Sequence, residues 1–287
     1  MTVRCVEYFC TPFIPRLNVS MAFAGCGPVC SANQLKGGTG MTAQHIVFVV
    51  GEGEYESART MPDLARHLEC ELGARCTVLV DRNIKSDAWD PRPGQRDSDI
   101  SGLETLEHAH LAVFYLRFRT LPEDQAARIE SYVQRGGAVA GFRTSTHAFN
   151  YNKMDSLARF NDFGKEVFGA PWIRHYGHDS STVVRVPAET RSHPILAGVA
   201  PEFAVRSWLY HVKPDFPPPG STELLMGYSV GPGKEPETQR TPNPVAWTKT
   251  TNAGGRVFFT TLGHPEDFAQ EPVRRLAVNG MRWALGG

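Results

Sequence analysis

The chain has 287 residues, of which 41% are hydrophobic and 21% charged, and its formal net charge is zero. These values are ordinary for a globular protein and allow one large α/β domain or two small ones. A neutral chain without a basic stripe is a poor partner for nucleic acid, and no apolar run approaches the roughly 20 residues needed to cross a bilayer. We therefore expect a small-molecule ligand, no nucleic acid and no membrane span.

The N-terminal part of the chain differs from the rest. Residues 1–44 combine Cys, Pro and Gly without helical or strand periodicity. We predict a poorly structured extension over 1–44, with Met41 as an alternative start, and one α/β domain over 45–287. The extension lacks the clean basic and apolar regions of a secretory signal, which favours a cytoplasmic location.

From residue 45 the chain alternates buried strands and amphipathic helices. Two capping signatures, beginning at Thr60 and Thr120, predict the helix starts, and residues 83–102 are polar enough to form a loop. Alternation of this kind predicts right-handed crossovers and a parallel sheet. The predicted strands of this half are 45–50, 76–80, 111–116 and 138–142.

The second half is less regular. The pattern predicts a closing helix over 273–284, and it places Trp208 and Tyr210 two residues apart on one face of a strand. An aromatic pair of this kind suits either a sugar ring or the edge of the core. The other predicted strands are 181–186, 223–228, 245–248 and 256–261.

Polar side chains follow several of the predicted strands. In open parallel sheets, ligands bind beyond the carboxyl ends of the strands. The fourth strand runs directly into Arg143, a permanent cation, and His147, which can exchange a proton near neutral pH. We predict His147 as the proton-transfer group, Arg143 as an oxyanion or hydroxyl clamp, and His264 as a second polar contact. The predicted substrate-binding residues are Glu54, Tyr55, Arg119, Thr144, Thr146, His178, Trp208 and Tyr210.

Some of these assignments leave alternatives open. The hydroxyl groups of Thr144 and Thr146 could serve only the backbone of their own turn. We predict no cofactor, but His147, His178 and His264, with Glu54 or Asp267, could together bind a divalent metal. No HxH or HExxH spacing supports such a site.

Four motifs carry a resemblance to a known family. In order and spacing, GFRTSTHAF (141–149), HPILAG (193–198), NPVAW (243–247) and GRVFFTTLGH (255–264) resemble the signatures of ThuA-like (trehalose-utilisation) proteins. The resemblance runs from about residue 45 to the end of the chain. It implies a flavodoxin-like, class I glutamine-amidotransferase-like fold, with a mostly parallel sheet and helices on both faces. It also implies a link to disaccharide catabolism and 3-keto-sugar processing.

One position departs from these relatives. Amidotransferases have a cysteine after the fourth strand and many ThuA-like proteins have a histidine, whereas this chain has Arg143. An arginine, ionised at any physiological pH, cannot act as a nucleophile, so thiol-based amide hydrolysis is excluded at this point. The leading hypothesis is an enzyme that acts on a keto-sugar, glycoside or polyol by acid/base chemistry. A non-catalytic carbohydrate-binding or sensing module is the second, a metal-dependent enzyme is the third, and a homo-oligomer is compatible with each.

Overall fold

The computed structural model describes residues 43–84, 98–233 and 235–287. These residues belong to a unit that spans Met41–Gly287. Almost all of the predicted N-terminal extension, including Met41, lies outside the described residues, as does most of the loop predicted at 83–102. Within the described residues, no helix combines the length and the hydropathy that crossing a bilayer requires.

Nine strands in the described part of the chain form one sheet, in the order β2-β1-β3-β4-β9-β8-β7-β5-β6. The strands are β1 (His45–Gly51), β2 (Arg75–Val80), β3 (Leu111–Leu116), β4 (Ala138–Phe142), β5 (Ser181–Arg185), β6 (Glu202–Val205), β7 (Thr222–Val230), β8 (Asn243–Thr250) and β9 (Arg256–Thr260).

Half of the sheet is parallel. Strands β2, β1, β3, β4 and β9 pair in parallel, and their order is the 2-1-3-4-5 order of flavodoxin-like folds. Every residue of β1 and β3 is buried, as expected for central strands covered on both faces. The strand order reverses between β1 and β3, because β2 lies on one side of β1 and the later strands lie on the other, so the ligand-binding switch point lies beyond the carboxyl ends of these two strands.

The prediction of a mostly parallel sheet is wrong for the other half. Strand β8 pairs antiparallel with β9, and β7, β5 and β6 continue antiparallel from there. Parallel neighbours need a long crossover, usually an α-helix, whereas antiparallel strands can be joined by short turns. In the described residues between β4 and β9, the helical segments are only three to five residues long, so antiparallel pairing is the arrangement that the connections permit. The sheet is therefore mixed.

Three α-helices among the described residues accompany the sheet: α1 (Ser57–Leu72), α2 (Glu123–Gln134) and α3 (Glu271–Ala284). Gly280 of α3 lies against the ring of Phe258, whereas Phe168 packs against the next residue, Phe259, with ring centroids 4.9 Å apart. Adjacent strand residues point to opposite faces, so both faces of the sheet are covered. Helix α1 contacts α3 and shares its face. The connection from β1 to β2 and the connection from β3 to β4 run in opposite directions across the sheet. Because both are right-handed crossovers, α2 lies on the face opposite to α1.

Both predicted capping boxes are wrong. Helix α1 begins three residues before Thr60, whose hydroxyl donates to the carbonyl oxygen of Glu56 within the helix. Helix α2 begins at Glu123, directly after Pro122, and the hydroxyl of Thr120 has no hydrogen-bond partner among the described residues. In both cases the threonine has the right spacing to the acidic residue but lies in the wrong place relative to the first helical turn.

Candidate functional site

The turn after β4 holds an arginine in an unusual backbone conformation. Arg143 has φ 41°, in the left-handed region that residues other than glycine rarely adopt. It begins a one-turn helix, Arg143–His147, which follows directly from the last residue of β4. A side chain at such a sharp strand-to-helix turn is held against the carboxyl edge of the sheet.

The Arg143 guanidinium is enclosed by aromatic rings. Its Cζ lies 4.5 Å from the ring centroid of Tyr55 and 4.7 Å from those of Trp208 and Tyr210. Its Nη1 donates to the carbonyl oxygen of Thr261 at 2.9 Å. The residue is fully buried, and within the part of the chain that the structure describes its Nε has no hydrogen-bond partner and no Asp or Glu forms an ion pair with it. The charge is therefore held by ring faces and carbonyl dipoles.

The rings around Arg143 continue outward into a group of histidines. Trp208 contacts His178, His175 and His264, with ring centroids 4.5, 5.7 and 6.1 Å apart. Eight rings around and above Arg143 form a group that we call the ring cluster: Tyr55, His147, Trp172, His175, His178, Trp208, Tyr210 and His264. Three of these side chains are buried, four are half-buried and His178 is exposed. The cluster therefore runs from a buried cation to the surface.

His147 lies at the far end of the one-turn helix. Its ring centroid is 4.8 Å from that of Phe118 and 5.4 Å from that of Trp172. Burial, reinforced by Arg117, Arg143 and a nearby histidine, holds its pKa well below the usual value. The ring is therefore neutral at pH 7 and has a lone pair with which to accept a proton.

His264 is held in place by a buried carboxylate. Asp267 accepts the hydroxyl of Ser207 at 2.5 Å and the backbone N–H groups of Arg206, Ser207, Gly263 and His264. These bonds tie the loop after β9 to the segment that carries Trp208. The side chain of His264 is 19% exposed, and burial lowers its pKa.

Two carboxyl groups follow β1 at the switch point. Glu54 pairs with Arg117, with Oε2 2.9 Å from Nη2. Glu52 is completely buried and accepts the backbone N–H of Tyr55 at 2.8 Å. Burial raises the pKa of Glu52 to about 7, against the opposing effects of this hydrogen bond and of Arg117. The first loop therefore supplies one partly exposed carboxylate and one buried acid that titrates near neutrality.

The structure brings most of the predicted residues into one place. Arg143, His147 and His264 lie in or beneath the ring cluster, together with Tyr55, His178, Trp208 and Tyr210. The predicted strand at Trp208 and Tyr210 is wrong, because β6 ends at Val205 and only Tyr210 forms an isolated bridge, to His175. The peptide chain turns there so that both rings reach Arg143.

Three of the predicted substrate-binding residues, Arg119, Thr144 and Thr146, are not part of the ring cluster. Arg119 forms a buried ion pair with Asp81, with Nη1 2.9 Å from Oδ2, away from the ring cluster. The hydroxyl of Thr146 lies 3.2 Å from the carbonyl oxygen of Arg143 and 3.1 Å from Nδ1 of His147. The hydroxyl of Thr144 is buried and has no hydrogen-bond partner among the described residues. Only the Thr146 hydroxyl therefore contacts a predicted catalytic side chain.

Two members of the ring cluster were missed by the sequence analysis. Trp172 and His175 stand three residues apart, and His178 follows after three more. This W-x-x-H-x-x-H spacing was the available signal, but the segment has no periodicity to assign it to an element. Its position depends on contacts with the distant segment 208–211.

The described residues contain no group of three or more His, Cys, Asp or Glu side chains that could hold a metal ion. His175 and His178 have ring centroids 4.7 Å apart, but of the other candidates His147 contacts Trp172 and His264 contacts Trp208. The proposed metal set of His147, His178 and His264 is thus not assembled among these residues.

Fold and site together define the class of this protein: an α/β protein with a flavodoxin-like parallel half and a histidine-rich ring cluster at its ligand-binding edge. The family model described as "ThuA: Trehalose utilisation" matches residues 77–284. The chain therefore belongs to the ThuA family, which links it to carbohydrate metabolism.

Solved structures support the same fold. A ThuA-like protein from Bacteroides uniformis superposes with a TM-score of 0.58 at 16% sequence identity, covering 86% of this chain and 95% of that one. A ThuA-like protein from Parabacteroides merdae superposes with a TM-score of 0.55 at 16% sequence identity, covering 85% of this chain and 90% of that one. No match to this chain was found among curated proteins. At such identities the likeness concerns the fold alone.

Proposed function

We propose that this ThuA-family protein is an enzyme that moves a proton on a keto-sugar or a closely related carbohydrate, with His147 as the proton acceptor. Family membership supplies the link to carbohydrates. The ring cluster supplies a site at the sheet edge where ligands bind in this fold class. The reaction class is inferred from the protonation state of His147 in this cluster.

The observation that carries the proposal is the hydrogen bonding of His147. The Thr146 hydroxyl has one proton, and its oxygen lies 3.2 Å from the carbonyl oxygen of Arg143 and 3.1 Å from Nδ1 of His147. The carbonyl can only accept, so it takes the hydroxyl proton, and the hydroxyl oxygen then accepts Nδ1–H. This arrangement leaves the lone pair on Nε2. Because the ring is neutral at pH 7, this lone pair can accept a proton, which is the role of a general base.

The rest of the ring cluster suits a sugar. Trp172 is half-buried beside His147, and an aromatic face beside polar imidazoles offers an apolar surface together with hydrogen-bonding groups for hydroxyls. His178 and His264, which both contact Trp208, supply such groups. A ligand seated across the outer rings would contact both kinds of surface.

Deuterium uptake tests this proposal directly. The protein is incubated in D₂O with 3-keto-trehalose, and NMR follows deuterium entering the carbon positions next to the ketone. Trehalose is the comparison, because it lacks the ketone that acidifies the neighbouring C–H bonds. We expect uptake only with the keto-sugar. Loss of a general base lowers rates by roughly 10²–10⁴-fold, so His147→Gln should slow uptake by that factor.

The matched control is His67→Gln. His67 lies on α1, where it pairs with Glu71 outside the ring cluster, and the change should leave uptake unaltered. Equal uptake by the wild type and His147→Gln would remove His147 from the reaction. Absence of uptake by the wild type would contradict the proposed function itself.

A carbohydrate-binding module without catalysis is the second candidate. It is favoured by one observation: the residue at the strand-four turn, Arg143, is not a nucleophile and is sealed beneath three rings. Calorimetry with trehalose, its keto form and their monosaccharides separates the two functions. Binding without deuterium uptake or product would identify the module.

A further inference from the structure

The guanidinium of Arg143 is the meeting point of four separate segments of the chain. Arg143 itself follows β4, and Tyr55 lies in the loop between β1 and α1. Trp208 and Tyr210 come after β6. Thr261, whose carbonyl oxygen accepts from Nη1 of Arg143 at 2.9 Å, directly follows β9. One buried cation therefore connects parts of the site that are far apart in the sequence.

The surroundings of this guanidinium are those of a cation-binding cage. Three ring faces lie 4.5–4.7 Å from Cζ. Within the described chain, the Nη groups donate to the carbonyl oxygens of Thr261 and Trp208 and to the hydroxyl oxygen of Tyr55. Ring faces and oxygen atoms carry negative partial charge, so they attract a cation without any carboxylate. Aromatic cages of this kind bind cationic ligands in other proteins.

The contacts of the guanidinium depend little on the side chain that carries it. The Nε of Arg143 has no hydrogen-bond partner among the described residues, so the cage is filled by the terminal planar group, Cζ with its two Nη nitrogens. The backbone at Arg143 has φ 41°, a conformation that glycine adopts readily. Arg143→Gly should therefore keep the turn and leave a cage that fits a free guanidinium ion.

The cage also supports one of the side chains proposed to bind the sugar. The imidazole of His264 contacts both Tyr55 and Trp208, with ring centroids 6.1 Å apart in each case. Thr261, which accepts the Arg143 hydrogen bond, lies three residues before His264 in the same loop. The guanidinium thus holds two rings beside the imidazole, together with the backbone that leads to it. Loss of the cation should therefore displace His264.

We propose that the three rings around Arg143 form a binding site for a planar cation, which the arginine side chain fills as a built-in ligand, and that the filled site positions His264 for the sugar. Arg143 is then a positioning residue, which acts through the rings and does not touch the substrate. The positioning of His264 for a sugar rests on the proposed function, whereas the cation site does not.

Chemical rescue tests the cation site without any substrate. Melting temperatures of the wild type and Arg143→Gly are measured with and without about 20 mM guanidinium chloride, far below the molar range in which this salt denatures proteins. A ligand that binds only the folded state stabilises it, so guanidinium should raise the melting temperature of Arg143→Gly and leave that of the wild type unchanged. Urea, which is planar but uncharged, and sodium chloride should have no effect at the same concentration.

Arg135→Gly is the matched control. Arg135 also contacts backbone carbonyl oxygens and one ring, that of Tyr132, but it is exposed and lies outside the ring cluster. Guanidinium should not stabilise this variant. Equal effects of guanidinium and urea on Arg143→Gly, or no effect of either, would overturn the cation site.

Deuterium uptake from 3-keto-trehalose tests the positioning of His264. Because one hydrogen bond to the sugar corresponds to about tenfold in affinity, Arg143→Gly should raise KM by about tenfold with little change in kcat. Guanidinium should restore KM. Stabilisation by guanidinium without any change in KM would overturn the positioning role and leave Arg143 a structural one. Absence of uptake by the wild type would instead contradict the proposed function, and the melting temperatures would still decide the cation site.

A measurement on the wild type covers the case in which Arg143→Gly fails to fold. In ¹H–¹⁵N spectra the guanidinium N–H signals of Arg143 are identified by their absence from the spectrum of Arg143→Lys. Ring currents should shift these signals upfield, and burial should make them exchange slowly with water. Signals with the shifts and exchange rates of exposed arginines would show that the rings do not enclose the cation, and would overturn the proposal.

Discussion

The indole ring of Trp208 lies 4.7 Å from the guanidinium carbon of Arg143, and it also contacts three imidazoles of the ring cluster. A fully buried positive charge is thus one ring away from the groups proposed to bind the ligand. Charges act over longer distances in a buried setting than in water. The arginine at the strand-four turn is therefore electrically part of the site, although the rings enclose it.

Replacing Arg143 should change both stability and histidine ionisation. Its charge helps burial to lower the pKa of His264, so Arg143→Gln should raise that pKa, measured by NMR titration. Arg143→Lys keeps the charge and should leave the pKa close to that of the wild type. Both variants lose hydrogen bonds to buried carbonyls and should be destabilised by roughly 2–4 kcal/mol in urea unfolding. An unchanged His264 pKa in Arg143→Gln would contradict the electrostatic link.

Glu52 should make the stability of the wild type fall as the pH rises from about 4.5 to about 7. Burial raises the pKa of this carboxyl to about 7 from an ordinary value of 4.5. The unfolded chain therefore releases the proton first, and the contribution of the protonated acid is complete below pH 4.5 and lost by about pH 7.

The variant Glu52→Gln cannot ionise and should escape this loss. Relative to the wild type, its free energy of unfolding should be larger at pH 8 than at pH 5, by on the order of 3 kcal/mol. Denaturant titrations at the two pH values measure the difference. A difference that stays the same at both would show that Glu52 titrates at its ordinary pKa.

Gly280 lies in the middle of α3, where alanine should improve the helix. The intrinsic gain from glycine to alanine is about 1 kcal/mol. However, a Cβ at this position would lie 2.5 Å from the ring of Phe258, and such overpacking typically costs about 1–3 kcal/mol. Because β9 fixes Phe258 in the core, we expect Gly280→Ala to destabilise the protein in thermal and urea unfolding.

The double variant Gly280→Ala/Phe258→Leu provides the control. A smaller side chain at Phe258 makes room for the new methyl group, so the two changes should be less destabilising together than the sum of the single variants. Additive effects would show that the contact between α3 and β9 is not the cause.

The parallel half of the fold could be predicted almost to the residue. Strands β3 and β4 lie where the apolar runs place them, because a strand covered on both faces is apolar throughout. The strand-end rule then brought Arg143, His147 and His264 to one edge without any knowledge of contacts. Local composition is sufficient to predict a strand when the whole strand is buried and its neighbours are joined by regular helical connections.

The remaining features depend on distant contacts. Strand β6 is four residues long and mostly unburied, so it carries no clear periodicity. His175 enters the ring cluster because its neighbours bond to the backbone at Leu209 and His211, more than 30 residues along the chain. Thr60 and Asp63 have the spacing of a capping box, yet the first turn of α1 precedes Thr60. Such features follow from tertiary packing, which no short window of sequence contains.

Asp267 has a consequence for how the site meets its ligand. By gathering four backbone N–H groups and one hydroxyl, it joins the loop of His264 to the segment that also anchors His175. Both sides of the ring cluster are therefore attached to a single stretch of backbone. An incoming molecule would find its contacts already in place and lose little of its binding energy to ordering the protein.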